Sequence, residues 1–211
     1  MAIEAEKLVV LGAGGHGRAV AELAQLAGFR VTGFLDAKPP SAEVDGLRVW
    51  AEAEFGGAAL PSAASALVLG IGANAARNLA ATRYQAVLQP PLVHPRAIVS
   101  PSALLGAGTI VFPGGIVHTA ARMGRACIVN SGAIVEHDCD LGAAVHVAPG
   151  AVLCGAVQVG EGTLVGAGAV VLPGLTLGAW VTVGAGAVVT QDLPDGVTVT
   201  GSPAREPGAS R

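Results

Sequence analysis

From Pro95 to Thr190 the chain divides into sixteen consecutive six-residue units whose fifth position is always apolar, running from Val99, Leu105 and Val111 through Met123 to Val183 and Val189. The third position is mostly small, from Ala97 and Ala103 through Cys127 and Ala133 to Ala187, and the sixth is Gly seven times. An ordinary alternating strand shares the inward third and fifth positions, but it does not hold one six-residue phase for 96 residues without a loop. A parallel β-helix does. Each unit supplies one short strand and one turn, three units close a triangular coil, and equivalent positions stack every 18 residues. The sixteen units make five and a third coils, a stack of about 25 Å at the usual strand spacing of ~4.8 Å. Glycine at the sixth position is expected to serve positive φ at a corner, and the inward Cys127 and Cys139 to act as small core residues.

The first 90 or so residues follow another pattern. Lys7 to Leu11 is a short buried-strand run, followed by Gly12, Gly14 and Gly17 in a G-x-G-x-x-G turn. Ala19 to Ala27 predicts a helix whose free N–H groups would attract a phosphate. Arg30 to Leu35 predicts a second strand ending at Asp36, where a carboxylate can accept bonds from ribose or base. A third strand is expected over Ala66 to Ile71 and a helix over Asn74 to Leu88, with a return through PPLVHP. Gly72, Asn74 and Arg77 either face a nucleotide or simply join strand to helix. This is half of a dinucleotide domain, with no hydride-transfer site, so a mononucleotide suits it better than a nicotinamide cofactor. The expected organisation is an α/β domain over 1–92, a β-helix over 93–200 and a tail over 201–211.

Composition agrees with narrow stacked layers: 52% of residues are hydrophobic, only 3% are aromatic, and 31 are Gly. A net charge of −3 without basic runs argues against nucleic acid or an anionic membrane surface as partner. No apolar stretch has bilayer-spanning length and no signal-peptide pattern opens the chain, so a soluble, cytoplasmic protein is expected. Three cysteines without a C-x-x-C pair argue against a disulfide framework or thiolate zinc site.

Candidate chemistry gathers in NSGAIVEHDCDLGAAVHVAPGAVLCG, residues 130–155. His137 opens a unit beside a corner, flanked by Glu136 and Asp138. Imidazole suits proton transfer near neutrality, and an adjacent carboxylate can fix its tautomer. His118 and Glu136 share one corner position a coil apart and are expected to stack and pair. His146 lies half a coil beyond His137 at an outward position, and His94 is expected to pack in the hinge.

Together, the nucleotide-type domain, the hexapeptide units and this segment resemble the bacterial acetyltransferases acting on nucleotide-linked amino sugars, grouped with sialic acid O-acetyltransferases. The resemblance runs from VVLGAGGHG to GSPAR. It implies a left-handed β-helix and a homotrimer with active sites between subunits, acetyl-CoA lying between neighbouring coils as cosubstrate, and no metal. It also implies His137 as general base with Asp138 as its partner, His146 lining the acetyl-CoA end of the cleft, Gly155 N–H facing the thioester carbonyl, and Asn130 near the transferred group. Gly14, His16 and Asp36 would hold the nucleotide-linked sugar, and Gly72, Asn74 and Arg77 stay candidates to face it from the second loop. Ala37 departs from the family, which often has a second Asp or Asn there, leaving the base open between uracil and guanine. The implied reaction is direct attack of a sugar amine on the thioester, with O-acetylation of a sialic acid as the alternative. A zinc hydratase using His118, His137 and His146 has no matching ligand pair on one coil face. An ice-binding or spacer scaffold would show a regular outward file of Thr, which is missing.

Overall fold

The computed structural model describes residues 6–207. Residues 208–211 of the expected tail lie outside them, as do residues 1–5.

The N-terminal unit is a five-stranded sheet built on β1 (Lys7–Leu11). Helix α1 (Gly15–Leu26) leads to β2 (Arg30–Asp36). The hairpin β3 (Glu43–Val44) and β4 (Leu47–Ala51) comes next, then β5 (Ala66–Leu69) and α2 (Asn74–Arg83). The strand order is β3-β4-β2-β1-β5, parallel except for the hairpin. Leu8, Val9, Val10 and Leu67 to Leu69 are buried because helices cover both faces, the usual condition of a parallel sheet. The hairpin escapes the hydrophobic pattern, although Asp45-Gly46, with φ of 51° and 74°, is the turn that a two-residue hairpin prefers. The second helix also stops earlier than expected: Tyr84 ends it, and Gln85–Val87 continues as a single 3-10 turn.

Eighteen two-residue strands then wind as a parallel β-helix. One face holds β6 (Leu92–Val93), β9 (Ile110–Val111), β12 (Ile128–Val129), β15 (His146–Val147), β18 (Leu164–Val165), β21 (Thr182–Val183) and β23 (Thr198–Val199). The second holds β7 (Ile98–Val99), β10 (Ile116–Val117), β13 (Ile134–Val135), β16 (Val152–Leu153), β19 (Val170–Val171) and β22 (Val188–Val189). The third holds β8 (Leu104–Leu105), β11 (Arg122–Met123), β14 (Asp140–Leu141), β17 (Gln158–Val159) and β20 (Thr176–Leu177). Register follows the 18-residue repeat, with Ile116 opposite Ile134 and Val117 opposite Val135. Because β6 already pairs with β9, the coil face takes in Leu92, the last residue of the unit expected to end at 92. Cys127 and Cys139 sit in the coil core, where burial pushes their thiols up to about 12 and about 11. At the far end Ala204 enters the core and Thr200 bridges to Arg205, so the start of the tail covers the last coil.

The glycine pattern has a different cause from the one expected. Positive φ falls on the second position of the units, for example Gly114, Ala120, Ala126, Gly132, Asp138 and Ala144. Five of the seven sixth-position glycines, Gly106, Gly124, Gly142, Gly160 and Gly178, form a file up one corner, where the coils nearly touch. A Cβ on Gly124 would lie 2.7 Å from Ala143 N, and one on Gly142 2.7 Å from Glu161 N. Close backbone approach, rather than a left-handed corner, excludes a side chain there.

The two units share a core. Ile110, Phe112 and Ile128 on the first coil face pack with Leu8, Val20, Leu23 and Phe34 of the α/β unit. That face is therefore the one the α/β unit covers.

Candidate functional site

His137 occupies the corner between the second and third coil faces, after β13 and before β14. Its Nδ1 lies 2.8 Å from Asp138 Oδ2, and both side chains are more than half exposed. Asp138 holds φ 59°, a left-handed conformation that Asp tolerates better than most residues, and this turns its carboxylate back beside the imidazole. With the carboxylate accepting Nδ1–H, Nε2 carries a lone pair and can act as a base. One coil on, the ring covers Gly155. A Cβ there would lie 2.6 Å from both Cε1 and Nε2, so only glycine leaves room for the ring. Among the described residues Gly155 N–H has no acceptor, whereas the neighbouring Ala156 N–H donates to His137 O at 2.9 Å. A base and an unspent backbone donor thus stand side by side, a combination suited to moving a proton beside a carbonyl that gains negative charge. His118 Nε2 and Glu136 Oε1 meet at 3.6 Å on the same corner, as their shared position requires.

His146 lies elsewhere, on the face covered by the α/β unit. Asn130 Oδ1 accepts Ser131 N–H at 2.8 Å, which turns Asn130 Nδ2–H toward His146 Nε2 at 3.0 Å and leaves the proton on Nδ1. Burial, with Arg77 and His16 adding to it, pushes His146 down to about 4, so the ring is neutral at physiological pH. His16, in the first turn of α1, is also lowered, chiefly by burial. Its ring lies 5.5 Å from that of Phe112, and its buried Nε2 has no hydrogen-bond partner among the described residues. A cleft of about 250 Å3 opens here between α1 and the coil corner, lined among others by His16, Glu22, His94, Phe112 and Asn130. His94 is buried, and its Nδ1 accepts Arg96 N–H at 3.0 Å, which stiffens the hinge.

The G-x-G-x-x-G turn divides its work as the sequence suggests. Gly12 has φ 104°, a Cβ on Gly17 would collide with Gly12 O, and Gly14 faces open space. Asp36 organises the mouth of this turn: its Oδ2 accepts Ala13 N–H at 2.7 Å and its Oδ1 accepts Lys38 N–H at 2.8 Å. Asp36 also lines a cleft of about 420 Å3 at the carboxyl ends of β1, β2 and β5, the place where open α/β sheets hold ligands.

The expectation that Arg77 and Asn74 face a nucleotide is not met. Arg77 is fully buried and spends all five donors inside the protein: Nε on Ala126 O, Nη1 on Ile71 O and Gly72 O, and Nη2 on Asn74 Oδ1 and Ala144 O. Asn74 Nδ2 donates to Gly162 O at 2.9 Å. These side chains fasten α2 to a coil corner, and Gly72 enters the site only as an acceptor for Arg77 and a neighbour of His16. Burial lowers Arg77 to about 10, so it stays cationic and adds to the burial that lowers His16 and His146. Glu52 and Arg83, which line the larger cleft, carry no local sequence signal. Glu52 follows the strand that the hydrophobic pattern does not mark.

Within one chain, then, His16, Asn130 and His146 come together and His137 does not join them. They belong to a covered face, and it to the corner between the other two.

Comparison with known proteins fits this arrangement. Residues 7–84 match the PglD N-terminal domain model and residues 156–191 the bacterial transferase hexapeptide model. A search of curated proteins gave no match. Among solved structures, the acetyltransferase domain of PglB from Neisseria gonorrhoeae FA1090 is 38% identical, with a TM-score of 0.88 over 95% of this chain and 99% of that one. It has also been solved with acetyl coenzyme A. PerB from Caulobacter crescentus, solved with CoA and GDP-perosamine, is 38% identical with a TM-score of 0.86, covering 96% of this chain and 97% of its own. WeeI from Acinetobacter baumannii AYE is 26% identical with a TM-score of 0.86, over 95% and 99% of the two chains.

Proposed function

The chain belongs to the nucleotide-sugar acetyltransferases of the PglD and PerB type, and from that premise we propose that it transfers an acetyl group from acetyl-CoA to the amine of a nucleotide-linked sugar. The observation that carries this reading is the His137–Asp138 pair seated on Gly155, with Nε2 beside a free backbone donor. His137 Nε2 removes a proton from the attacking amine, the C–N bond forms, and the thioester oxygen gains charge that Gly155 N–H stabilises. The C–S bond then breaks and the imidazolium returns the proton to the departing thiolate. Asp138 holds the tautomer and offsets the imidazolium charge. No group on the protein is acylated.

The site is made by two copies. His137 of one subunit serves the cleft of another, where His16 and Asn130 border the transferred group and neutral His146 lies at the cosubstrate end. A left-handed coil in a closed trimer, with acetyl-CoA between adjacent coils, gives each copy both roles. Gly14, His16 and Asp36 hold the nucleotide-linked sugar, His16 at its sugar end. PerB, crystallised with CoA and GDP-perosamine, supports the substrate class, as does the PglB domain with acetyl coenzyme A.

The test is thiol release from acetyl-CoA with UDP- and GDP-linked amino sugars and, separately, with free sialic acid. Release with a nucleotide-linked amine, abolished by His137→Ala while acetyl-CoA binding persists, is the expected result. Release with sialic acid alone rejects the amine as acceptor.

A further inference from the structure

The larger cleft of the α/β unit has two unlike ends. Leu11, Leu35, Ile71 and Leu79 make one part apolar, as a planar ring requires. Past the small Ala37, the other end is polar and is built from residues outside the glycine turn: Glu52, just after β4, and Arg83, the last residue of α2. A second cleft of about 260 Å3 shares Ala37, Glu52 and Arg83, so this pair stands between two openings.

The pair is held by several hydrogen bonds and only partly spent. Glu52 Oε1 accepts Arg83 Nη1–H at 2.6 Å and the Tyr84 hydroxyl at 2.9 Å, while Arg83 Nε donates to Gly57 O at 2.9 Å. The guanidinium also lies 5.2 Å from the Tyr84 ring centre. Among the described residues, Glu52 Oε2 accepts no hydrogen bond and Arg83 Nη2 donates none. A carboxylate acceptor and a guanidinium donor are therefore held next to each other at the end of an apolar slot.

We propose that Glu52 and Arg83 read the base of the bound nucleotide and select guanine. This rests on the nucleotide-sugar reading above and adds the base to it. On guanine's pairing edge the O6 acceptor adjoins the N1–H and N2–H donors. Arg83 Nη2 donates to O6, and Glu52 Oε2 accepts from N1–H and N2–H. Uracil offers the first two of these contacts, but its O2 then turns a lone pair toward the carboxylate. Adenine and cytosine place a ring nitrogen lone pair against Glu52 and an amino group against Arg83, so both contacts are reversed. Hypoxanthine keeps O6 and N1–H and lacks only the amino group, which isolates the N2–H contact to the carboxylate.

Calorimetry on the full chain with GDP, IDP, UDP and ADP tests the proposal. A bond to a charged partner is worth roughly a ten- to hundredfold change in affinity. GDP is expected to bind at least about tenfold tighter than IDP, and UDP and ADP are expected to bind more weakly than IDP. Glu52→Gln should collapse the GDP-to-IDP ratio toward one while leaving UDP binding within about threefold, a pattern that loss of structure would not give. The wild-type ratios decide the matter even where the variant misfolds. UDP binding as tightly as GDP, or IDP equalling GDP, overturns the guanine assignment and leaves the nucleotide reading standing. Saturable binding of none of the four overturns both.

Discussion

Replacing Gly155 with Ala places one methyl group under the His137 ring and nothing else. Gly155 does not have a left-handed φ, so alanine fits its backbone, and the change restricts the unfolded chain, which is worth about 0.4 to 1 kcal/mol in favour of folding. The added Cβ lies 2.6 Å from His137 Cε1 and Nε2, against an ordinary carbon contact of about 3.5 Å or more, so the ring tip must move by about 1 Å. The His137 side chain is 56% exposed and free to swing outward, so stability should stay within about 1 kcal/mol of the parent. Geometry at the base is lost instead. A displacement of that size costs roughly a hundredfold in rate, within the 10²–10⁴ range that a positioned base contributes. Thiol release at saturating acetyl-CoA, measured beside urea unfolding, separates the two quantities. Turnover within about threefold of the parent, with unfolding unchanged, would refute the idea that His137 works from its position over Gly155.

Other expectations follow from the same geometry. Asp138→Asn should retain acetyl-CoA binding and lose at least tenfold in turnover, because the amide no longer fixes the Nδ1–H tautomer; equal turnover in steady-state assays would contradict the dyad. His146 has an ordinary value of 6.5 and is lowered to about 4 in the fold, so the unfolded chain takes up its proton first. Stability is therefore lost as pH falls from 6.5 toward 4, by up to about 3 kcal/mol from this group, and His146→Gln should flatten that slope in urea titrations. Arg77→Ala leaves five acceptors without their donor, those of Ala126 and Ala144 in buried bonds, and should cost about 3 kcal/mol or more, seen as a lower unfolding midpoint. Gly142→Ala should destabilise more than Gly150→Ala: the first drives a Cβ to 2.7 Å from Glu161 N, whereas the second, at φ 67°, meets open space and carries only the left-handed penalty of about 1 kcal/mol.

The coil was legible because one six-residue phase admits few solutions, and the nucleotide-type turn because three glycines in fixed spacing have separate jobs. Their separate jobs are visible in the structure at Gly12, Gly14 and Gly17. The reason for the sixth-position glycines was not legible, since periodicity marks a corner without saying whether φ or crowding excludes a side chain. Arg77 misled for a related reason: an Arg at the start of a helix beside an expected phosphate site looks like a ligand group, and only its carbonyl partners on another unit, such as Ala126 and Ala144, reveal a fastening. Glu52 and Arg83 are 31 residues apart and meet only once the hairpin strand β4 is in place. The separation of His137 from His146 was available in principle. Nine residues is half of an 18-residue coil, which sets one opposite the other.

That separation makes subunit mixing the most direct test of a site shared between copies. His137→Ala and His16→Ala are each expected to be nearly inactive alone, the first lacking the base and the second the sugar-side cleft. Co-assembled in equal amounts, they should regain roughly a quarter of parental turnover, because about one interface in four joins an intact His137 to an intact His16 cleft. Mixed oligomers that form, as mass spectrometry can verify, yet stay as inactive as either variant alone would contradict a catalytic site built from two chains.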